Sequence, residues 1–397
     1  MSTAVEGHSP VGGPFVTRPM LVLLALTGMA GLLIVQRFAF GLGATTAMND
    51  GYPWGLWIAF DVVTGTAFGC GGFAMALLVY IVNRGAYHPL VRPAILTSAL
   101  GYSIAGVSVL LDLGRPWLAW KIPVFVWEWN LHSQLLEVAL CIMAYCVVQW
   151  IELSPAFLES AKASPWPWLQ WLGGALLPLV NKSLLLVIAL GMVLPTMHQS
   201  SLGALLLLSG PRLHPLWNTI LLPLLFLISC IAMGFGAVVL ETSLSSRYLH
   251  RNSHTDTLAG IGFWMVPIIG GYLWIRVADL WMRGQLAGLF AMDVFSVMSL
   301  LELGLFALSA AMMSTHKLRS HPQTLFRAAM LCMLAGTLYR FDVFLVAFQP
   351  GEHWAYFPSV NEILISVGLV AGEIAAYILL VKTFPILAGR ASAATAH

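Results

Sequence analysis

The chain has 397 residues, of which 59% are hydrophobic and only 9% are Asp, Glu, Lys or Arg. A soluble core of this length cannot bury so much apolar surface, so the composition excludes a soluble globular protein and predicts several membrane crossings. The formal net charge is only +2 and no run of basic residues occurs. The charge therefore argues against nucleic acid as a partner and leaves membrane lipid as the main environment.

Ten apolar segments are each long enough to cross about 30 Å of hydrocarbon as a helix. Residues 1–18 lack the basic region and cleavage site of a signal peptide, so we expect the first segment to be a retained helix. The predicted fold class is therefore an all-α polytopic membrane protein with ten transmembrane helices. They are placed at 20–38, 54–82, 91–112, 132–151, 182–203, 216–241, 258–277, 289–312, 326–348 and 357–381.

The basic and aromatic residues indicate an orientation. Most of the 19 Lys and Arg fall on one side of the predicted helices, the side that holds the amino terminus. The positive-inside rule then predicts that both termini are cytoplasmic. Most of the 15 Trp fall on the opposite, outer side. This excess predicts that the outer surface docks a partner or frames an apolar pocket, although an interfacial aromatic belt alone is an open alternative.

The second predicted helix carries a carboxylate well inside an apolar run. Asp61, Gly65, Gly69 and Gly72 follow at i, i+4, i+8 and i+11, so they share one face of the helix. A carboxylate in hydrocarbon costs several kcal/mol, so such residues usually serve proton transfer or ligand binding. The alternative is an Asp that only bonds a hydroxyl or an Arg of a neighbouring helix.

The outer ends of the third and fourth predicted helices hold three more polar side chains. We expect Asp112, Arg115 and His132 to converge near the outer face, beside the aromatic residues Trp54 and Trp57. A quinone needs an apolar, aromatic slot with hydrogen-bond donors and a proton source at its carbonyl oxygens. The pattern predicts a quinone site there, whereas an Asp/Arg pair that only caps the third helix is the alternative.

Residues 152–181 follow the fourth predicted helix and are rich in Pro and Trp. This composition predicts a segment that lies along the inner membrane interface.

Four further polar residues occur at different depths on consecutive predicted helices. Tyr102 lies near the middle of the third, Glu137 early in the fourth, His198 in the outer half of the fifth and Glu241 at the inner end of the sixth. Together they predict a proton-transfer path across the bilayer. For Tyr102 alone, a purely structural role is the competing interpretation.

The second half of the chain also carries buried charges. Arg276 with Asp279, and Arg340 with a nearby acid, are expected to form structural ion pairs. Glu302 and Glu373 have no obvious partner and are reserve candidates for a second proton path.

Neither the cysteines nor the histidines predict a metal cofactor. The five Cys lie inside apolar runs without metal-ligand spacing, so we expect no iron-sulfur cluster in this chain. Of the 11 His, only His132 and His198 are expected near or inside the membrane, and the rest fall in loops or tails, whereas a haem between helices often uses two His ligands. The expectation is no haem. A haem-b-binding anchor, a secondary transporter and a purely structural anchor remain alternatives.

Five stretches of sequence resemble a known family. They are RFAFGLG at 37–43, NDGYPWGLWIAFD at 49–61, YHPLVRP at 87–93, DLGRP at 112–116 and WNLHSQLLE at 129–137. In these stretches the chain is similar to the NrfD/PsrC family of quinone-interacting membrane subunits. Within it, the chain is most similar to the HybB branch, the integral membrane subunits of nickel-iron hydrogenases.

The resemblance implies two four-helix bundles, helices two to five and six to nine, flanked by helices one and ten. It implies a haem-free subunit of a bacterial inner membrane that passes electrons between a docked iron-sulfur subunit and a quinone such as menaquinone near the outer face. In a hydrogenase, the electrons come through that partner from nickel-iron catalytic subunits. The implied regions are a cytoplasmic tail 1–19, a flanking helix and outer loop 20–53, a first bundle with the quinone site 54–203, a second bundle 204–348, and a last helix with a cytoplasmic tail 349–397.

The resemblance also assigns roles by position. A Tyr, a Glu, a His and a Glu on helices three to six carry proton transfer in the HybB branch, and they match Tyr102, Glu137, His198 and Glu241. Some family members place an Asn and a His near the quinone at the start of the first bundle. Residues 54–61 contain neither, so those two contacts are not expected here.

Overall fold

The computed structural model describes residues 8–251 and 254–389. Within these ranges no β-strand forms, and ten helices are long and apolar enough to cross a membrane. The all-α, ten-helix prediction is therefore confirmed. The helices are α1 Arg18–Phe40, α2 Trp57–Ile81, α3 Gly85–Asp112, α4 Gln134–Lys162, α5 Pro167–Leu207, α6 Leu222–Leu249, α7 Thr255–Met282, α8 Val294–Met313, α9 Pro322–Val346 and α10 Val360–Thr383.

The prediction of an interfacial segment at 152–181 is wrong. α4 continues to Lys162 and α5 begins at Pro167, so this region is a helical hairpin. Pro155 lies inside α4 and Pro178 inside α5, where sequence reasoning takes a proline as a break. At 1.5 Å per residue the 41 residues of α5 extend about 60 Å, roughly twice the hydrocarbon thickness. α5 is therefore longer than a single membrane crossing requires.

Neighbouring helices pack in two rings. Helices α2 to α5 contact one another in sequence and α2 closes onto α5, while α6 to α9 contact in sequence and α9 closes onto α6. α1 packs along α10, and α10 also contacts α3 and the start of α2. These are the contacts expected of two four-helix bundles with flanking helices, a grouping that stays a prediction.

Helices α2 and α6 cross at two glycines. A Cβ atom built at Gly234 of α6 would lie 2.6 Å from the carbonyl oxygen of Cys70 in α2, and Gly71 faces the same crossing. Only glycine permits so close an approach of two backbones. Gly71 follows Trp54 by the same number of residues as Gly234 follows Trp217.

Parts of α2 and α9 are π-helical. The π-helical turns cover Trp57–Thr64 and Leu77–Ile81 in α2 and Asp342–Val346 in α9. Such turns are uncommon and occur often at functional sites. Asp61 lies in the first of them.

Candidate functional site

The Asp61 carboxyl is buried between α2, α3 and α10. Asp61 is 3% exposed, and its Oδ2 atom accepts a 2.7 Å hydrogen bond from the Ser366 hydroxyl. Ser108 of α3 lies beside the same carboxyl, yet among the described residues Asp61 Oδ1 and Ser108 Oγ are buried without a hydrogen-bond partner. A buried polar atom without a partner costs about 1–3 kcal/mol, so these atoms are positioned to bond a water, a proton or a ligand.

Asp112 lies at the end of α3 on the side that the sequence predicts to be outer, called the outer side here, and Arg37 of α1 is its basic neighbour. The Arg37 guanidinium interacts electrostatically with Asp112 and donates to the Leu111 and Leu113 carbonyl oxygens at 2.8 and 2.6 Å. Within the described chain, Asp112 Oδ1 is buried and unpartnered, like Asp61 Oδ1. Sequence reasoning missed Arg37, although an arginine at the end of an apolar run is itself a signal.

Trp54 and Trp57 fix the outer end of α2 to other helices. The Trp57 indole is 1% exposed and donates to the Glu362 carbonyl oxygen at 3.3 Å. The Trp54 indole donates to the Phe344 carbonyl oxygen at 2.9 Å, and its ring lies 4.8 Å from that of Phe348. Trp54 is therefore held against α9 and the segment that follows it, and Trp57 is held against α10.

Arg115 and His132 lie away from this group. Both are exposed on the outer loop between α3 and α4, and neither side chain forms a hydrogen bond or ion pair with another described residue. The structure thus brings Asp61, Asp112, Trp54 and Trp57 to the outer ends of α2, α3 and α10 and leaves Arg115 and His132 at the surface. A quinone contact by those two residues stays a prediction.

The Glu362 carboxylate takes part in the capping box at the outer end of α10. Glu362 Oε2 accepts from the Ala47 and Ser359 amides at 2.9 and 2.8 Å, and Oε1 accepts from the Tyr356 hydroxyl at 2.6 Å. Burial and the neighbouring Glu362 carboxylate raise the pKa of Tyr356 above its usual range. This arrangement satisfies Glu362 and ties the loop before α2 to α10.

Two of the four predicted proton-transfer residues meet in the middle of the first half. Tyr102 is fully buried, and its ring lies 5.6 Å from that of His198 and 4.4 Å from that of Tyr145. His198 Nε2 is 3.4 Å from Thr66 Oγ1, and Nδ1 is buried without a partner in the described structure. Tyr102 and His198 are therefore direct neighbours.

The other two predicted members lie apart from this pair. Glu137 is half-buried in the first turn of α4, and within residues 8–251 and 254–389 its side chain makes no hydrogen bond. Glu241 accepts hydrogen bonds from Thr242 at 3.2 Å, from Ser245 at 2.8 Å and from Tyr377 of α10. No hydrogen bond within the described chain links either glutamate to Tyr102 or His198.

A face of α4 that the sequence analysis missed continues from Tyr102 towards the inner side. Tyr145 and Gln149 are buried, and Glu152 follows at the next position of the same face. A Cβ atom built at Gly191 of α5 would lie 3.3 Å from Glu152 Oε2, so the carboxyl packs into the space that this glycine leaves. Glu152 was missed because the fourth helix was predicted to end at residue 151.

Arg340 bridges the two halves rather than pairing with an acid. It is fully buried and donates to Gln199 Oε1 and Ser229 Oγ, each at 2.9 Å, and to the Val63 carbonyl oxygen at 3.0 Å. Gln199 in turn donates to Thr66 at 3.0 Å. The expected ion pair of Arg340 is therefore wrong: neutral oxygens of α2, α5 and α6 surround it.

The expected Arg276–Asp279 pair is also absent from the described structure. Asp279 pairs with Arg283 at 2.6 Å, whereas Arg276 donates to the Leu216 carbonyl oxygen at 2.7 Å. Glu302 does have partners, since it accepts from Tyr272 at 2.6 Å and from Trp217 at 3.2 Å. The second half thus holds its own buried polar cluster, and sequence spacing alone did not identify its pairings.

The metal-ligating residue types are dispersed. Over the described ranges, no group of three or more His, Cys, Asp or Glu could hold a metal ion, and all five Cys are free thiols. His198 is the only described histidine that is buried.

Comparison with known proteins places the chain in a family. The family model described as polysulphide reductase NrfD matches residues 44–350. The chain belongs to the NrfD family. The match covers most of the spanning helices and ends before α10 begins.

Curated relatives extend the match over almost the whole chain. The chain is 40% identical to the probable Ni/Fe-hydrogenase 2 b-type cytochrome subunit of Escherichia coli, over 95% of this chain and 94% of the relative. It is 36% identical to the menaquinone reductase integral membrane subunit of Nitratidesulfovibrio vulgaris, over 44% of this chain and 40% of that protein. It is 27% identical to the protein NrfD of Escherichia coli, over 49% of this chain and 59% of that protein. The NrfD-family chain described here is thus a multi-pass membrane protein related to subunits of oxidoreductases.

Proposed function

We propose that this chain is the quinone-reactive membrane subunit of a multi-subunit oxidoreductase in a bacterial inner membrane, with both termini in the cytoplasm. The observation that carries the proposal is the 40% identity, over nearly the full length of both chains, to a subunit named for hydrogenase 2. A nickel-iron hydrogenase is therefore the partner enzyme proposed here. The named menaquinone reductase relative favours menaquinone as the quinone.

The proposed quinone site lies on the outer side, beside Asp61 and Asp112. Asp61 is buried and Asp112 is partly buried, and each has one buried oxygen without a partner in the described structure. Two-electron reduction of a quinone to a quinol takes up two protons at its two oxygens, so a carboxyl on α2 and a carboxyl at the end of α3 suit that chemistry. Trp54 and Trp57 supply aromatic walls, and Arg115 and His132 are the proposed contacts from the outer loop.

Electrons would arrive from an iron-sulfur subunit that docks on the outer face. The loop between α3 and α4 presents Trp117, Trp120 and Trp127, which are 65%, 55% and 76% exposed. Exposed Trp side chains are enriched among residues that dominate binding at protein interfaces. This loop follows Asp112 directly, so a partner bound there would lie close to the proposed quinone site.

Proton transfer to the quinone is proposed to involve the four residues that match the HybB branch. The direct contact of Tyr102 with His198 supports a shared role for these two. Glu137 and Glu241 are proposed as the outer and inner members of the path.

The name of the Escherichia coli relative includes a b-type cytochrome, so a haem-bearing anchor is the second candidate function. We favour a haem-free subunit, because a haem between two helices commonly takes two axial His ligands and His198 is the only described histidine that is buried. An optical spectrum of the purified subunit, reduced and oxidised, tests this. Reduced-haem absorption bands in stoichiometric amount would reject the haem-free proposal.

The main experiment is purification of the intact complex through a tag on this chain. We expect nickel-iron and iron-sulfur subunits to co-purify, and the complex to reduce a menaquinone analogue with hydrogen as the electron donor. A complex that oxidises hydrogen with a soluble dye but reduces no quinone would contradict the quinone role. Recovery of a different oxidoreductase would retain the quinone role and replace the hydrogenase partner.

A further inference from the structure

One face of α10 carries a row of polar side chains through the membrane. Glu362, Ser366, Glu373 and Tyr377 follow at i, i+4, i+11 and i+15, which places them within a narrow stripe of a helix with 3.6 residues per turn. α10 lies beyond the residues that the family model matches. Its polar face therefore needs an explanation of its own.

The outer part of the stripe reaches Asp61. Ser366 donates its hydroxyl to Asp61 Oδ2 at 2.7 Å, so α10 directly contacts the carboxyl of the proposed quinone site. The two unpartnered atoms, Asp61 Oδ1 and Ser108 Oγ, lie at this level. A bridging water between them would satisfy both, as buried waters commonly do.

The middle of the stripe is Glu373. A Cβ atom built at Gly101 of α3 would lie 3.5 Å from Glu373 Oε1, so the carboxyl occupies the space over this glycine. The Asp61 and Glu373 carboxyls are close enough to interact electrostatically, and no hydrogen bond from another described residue holds Glu373. Seven residues separate Ser366 from Glu373, a distance of about 10 Å along the helix that water and the flexible Glu side chain can bridge.

The inner part of the stripe reaches Glu241. The Tyr377 hydroxyl, one turn from Glu373, hydrogen-bonds to Glu241 Oε1 and lies 3.3 Å from Ser245 Oγ. A cavity of about 20 Å³ adjoins Glu241 and Ser245 and is also lined by Arg251. A cavity of that size holds roughly one water molecule. Glu241 thus stands between a small polar cavity on the inner side and the polar face of α10.

We infer that α10 provides a proton path from the inner side to the quinone site, through Glu241, Tyr377 and Glu373 to Asp61. The inference rests on the proposed quinone chemistry. Each two-electron reduction, with electrons from the docked partner, draws two protons, and each carboxyl accepts a proton from the inner neighbour and releases one to the outer neighbour. In this path Glu241 passes protons to Tyr377, with which it has a hydrogen bond, and Glu241 is also the inner member of the set proposed above with Tyr102 and His198.

The test replaces two members of the stripe in the complete complex in lipid vesicles. Glu373→Gln and Tyr377→Phe keep the shape of each side chain but remove its proton transfer. We expect quinone-linked turnover to fall by roughly a hundredfold. Electron transfer to a soluble dye should stay unchanged, because that reaction needs no proton delivery through α10. Glu373→Asp should restore part of the rate, and the matched control Glu352→Gln, on the exposed outer loop, should have no effect.

A second measurement uses the unmodified complex. A pH dye trapped on one side of the vesicle membrane reports which side loses protons while quinone is reduced, and we expect uptake from the side that holds Glu241. Uptake from the outer side, or wild-type turnover in both Glu373→Gln and Tyr377→Phe, would overturn the α10 path while leaving the quinone function intact. A wild-type complex that reduces no quinone would instead contradict the proposed function itself.

Discussion

Asp61 is a buried carboxyl of a membrane-spanning helix in which the two oxygens have different surroundings. One carboxyl oxygen is fixed by Ser366, and the other is buried without a partner in the described structure. If Asp61 served only packing, an apolar side chain of similar size at this position would make the protein equally or more stable. The carboxyl oxygen without a hydrogen bond is thus better explained by a partner that binds transiently, such as a proton or a quinone oxygen.

The corresponding prediction is for Asp61→Asn. The amide can still accept the bond from Ser366 but cannot carry a proton to a quinone, so quinone-linked turnover should fall by about a hundredfold. Thermal stability of the purified complex should be unchanged or slightly higher, since no charge is left in the apolar interior. Asp50→Asn, in the exposed outer loop, is the matched control. A stable Asp61→Asn complex with wild-type turnover would remove Asp61 from the site.

Glu137 gives a second prediction at this scale. It is half-buried, and its side chain has no hydrogen bond within the described ranges, so Glu137→Gln should leave assembly intact. If Glu137 belongs to the proton path, quinone-linked turnover should decrease at least tenfold. Glu128→Gln, which changes an exposed glutamate of the same outer region, should have no effect. Equal rates in both variants would exclude Glu137 from the path.

Individual residues could be predicted from the sequence only where the signal was local. Buried polar residues such as Tyr102 and His198 stand out in an apolar run, and the structure joins them. The partners of Asp112 and Arg340 could not be predicted, because a guanidinium reaches along and between helices to carbonyl oxygens that no sequence pattern indicates. Glu152 was lost because the end of a helix is the least certain feature of a sequence-based assignment.

At the scale of the helices, the central feature is the crossing of α2 and α6. Close backbone contact there places Thr66 of α2 and Ser229 of α6 on either side of the bond from Arg340 to Gln199. This network ties four helices together in the middle of the membrane. Its donors and acceptors are neutral except for Arg340, whose positive charge is close enough to His198 to interact with it electrostatically.

The close packing at this crossing predicts that one added methyl group, at Gly234, lowers the stability of the protein. Gly234→Ala would place a carbon 2.6 Å from the Cys70 carbonyl oxygen, so α2 and α6 would have to separate. Overpacking of this kind costs about 1–3 kcal/mol, and thermal unfolding of the purified protein should shift to lower temperature. Gly106→Ala is the control, because nothing lies within 4 Å of a Cβ atom there. Equal stability of the two variants would show that the crossing is looser than described.

The number and order of the helices followed from hydropathy, because apolar length is a strong local signal. Their extents did not always follow. The α4–α5 hairpin continues past the predicted helix ends at 151 and 182 with Pro155 and Pro178 inside its helices, and prolines do not break a helix whose neighbours supply compensating packing. The polar face of α10 was visible only as the isolated residue Glu373, since its meaning depends on three other helices.

For the whole molecule, the buried polar side chains form two separate groups within the membrane-spanning helices. One surrounds Tyr102, His198 and Arg340 where the two halves meet, and the other follows α10 from Glu241 to Asp61. Both start from buried side chains of the family-matched region, but only the second uses a helix beyond it. If protons reach the quinone as proposed, a member of the family without such a tenth helix would have to deliver them by the first system alone.

The outer surface carries the last prediction, which concerns assembly. If the partner docks on the loop between α3 and α4, Trp127→Ala should weaken its binding by about 2 kcal/mol, or roughly thirtyfold, because an exposed Trp at an interface contributes a large buried area. Trp171→Ala, at the inner end of α5 and 73% exposed, should leave binding unchanged. The measurement is the amount of iron-sulfur partner recovered with the tagged chain. Loss of the partner in Trp171→Ala but not in Trp127→Ala would reverse the proposed orientation, and with it the side from which α10 draws protons.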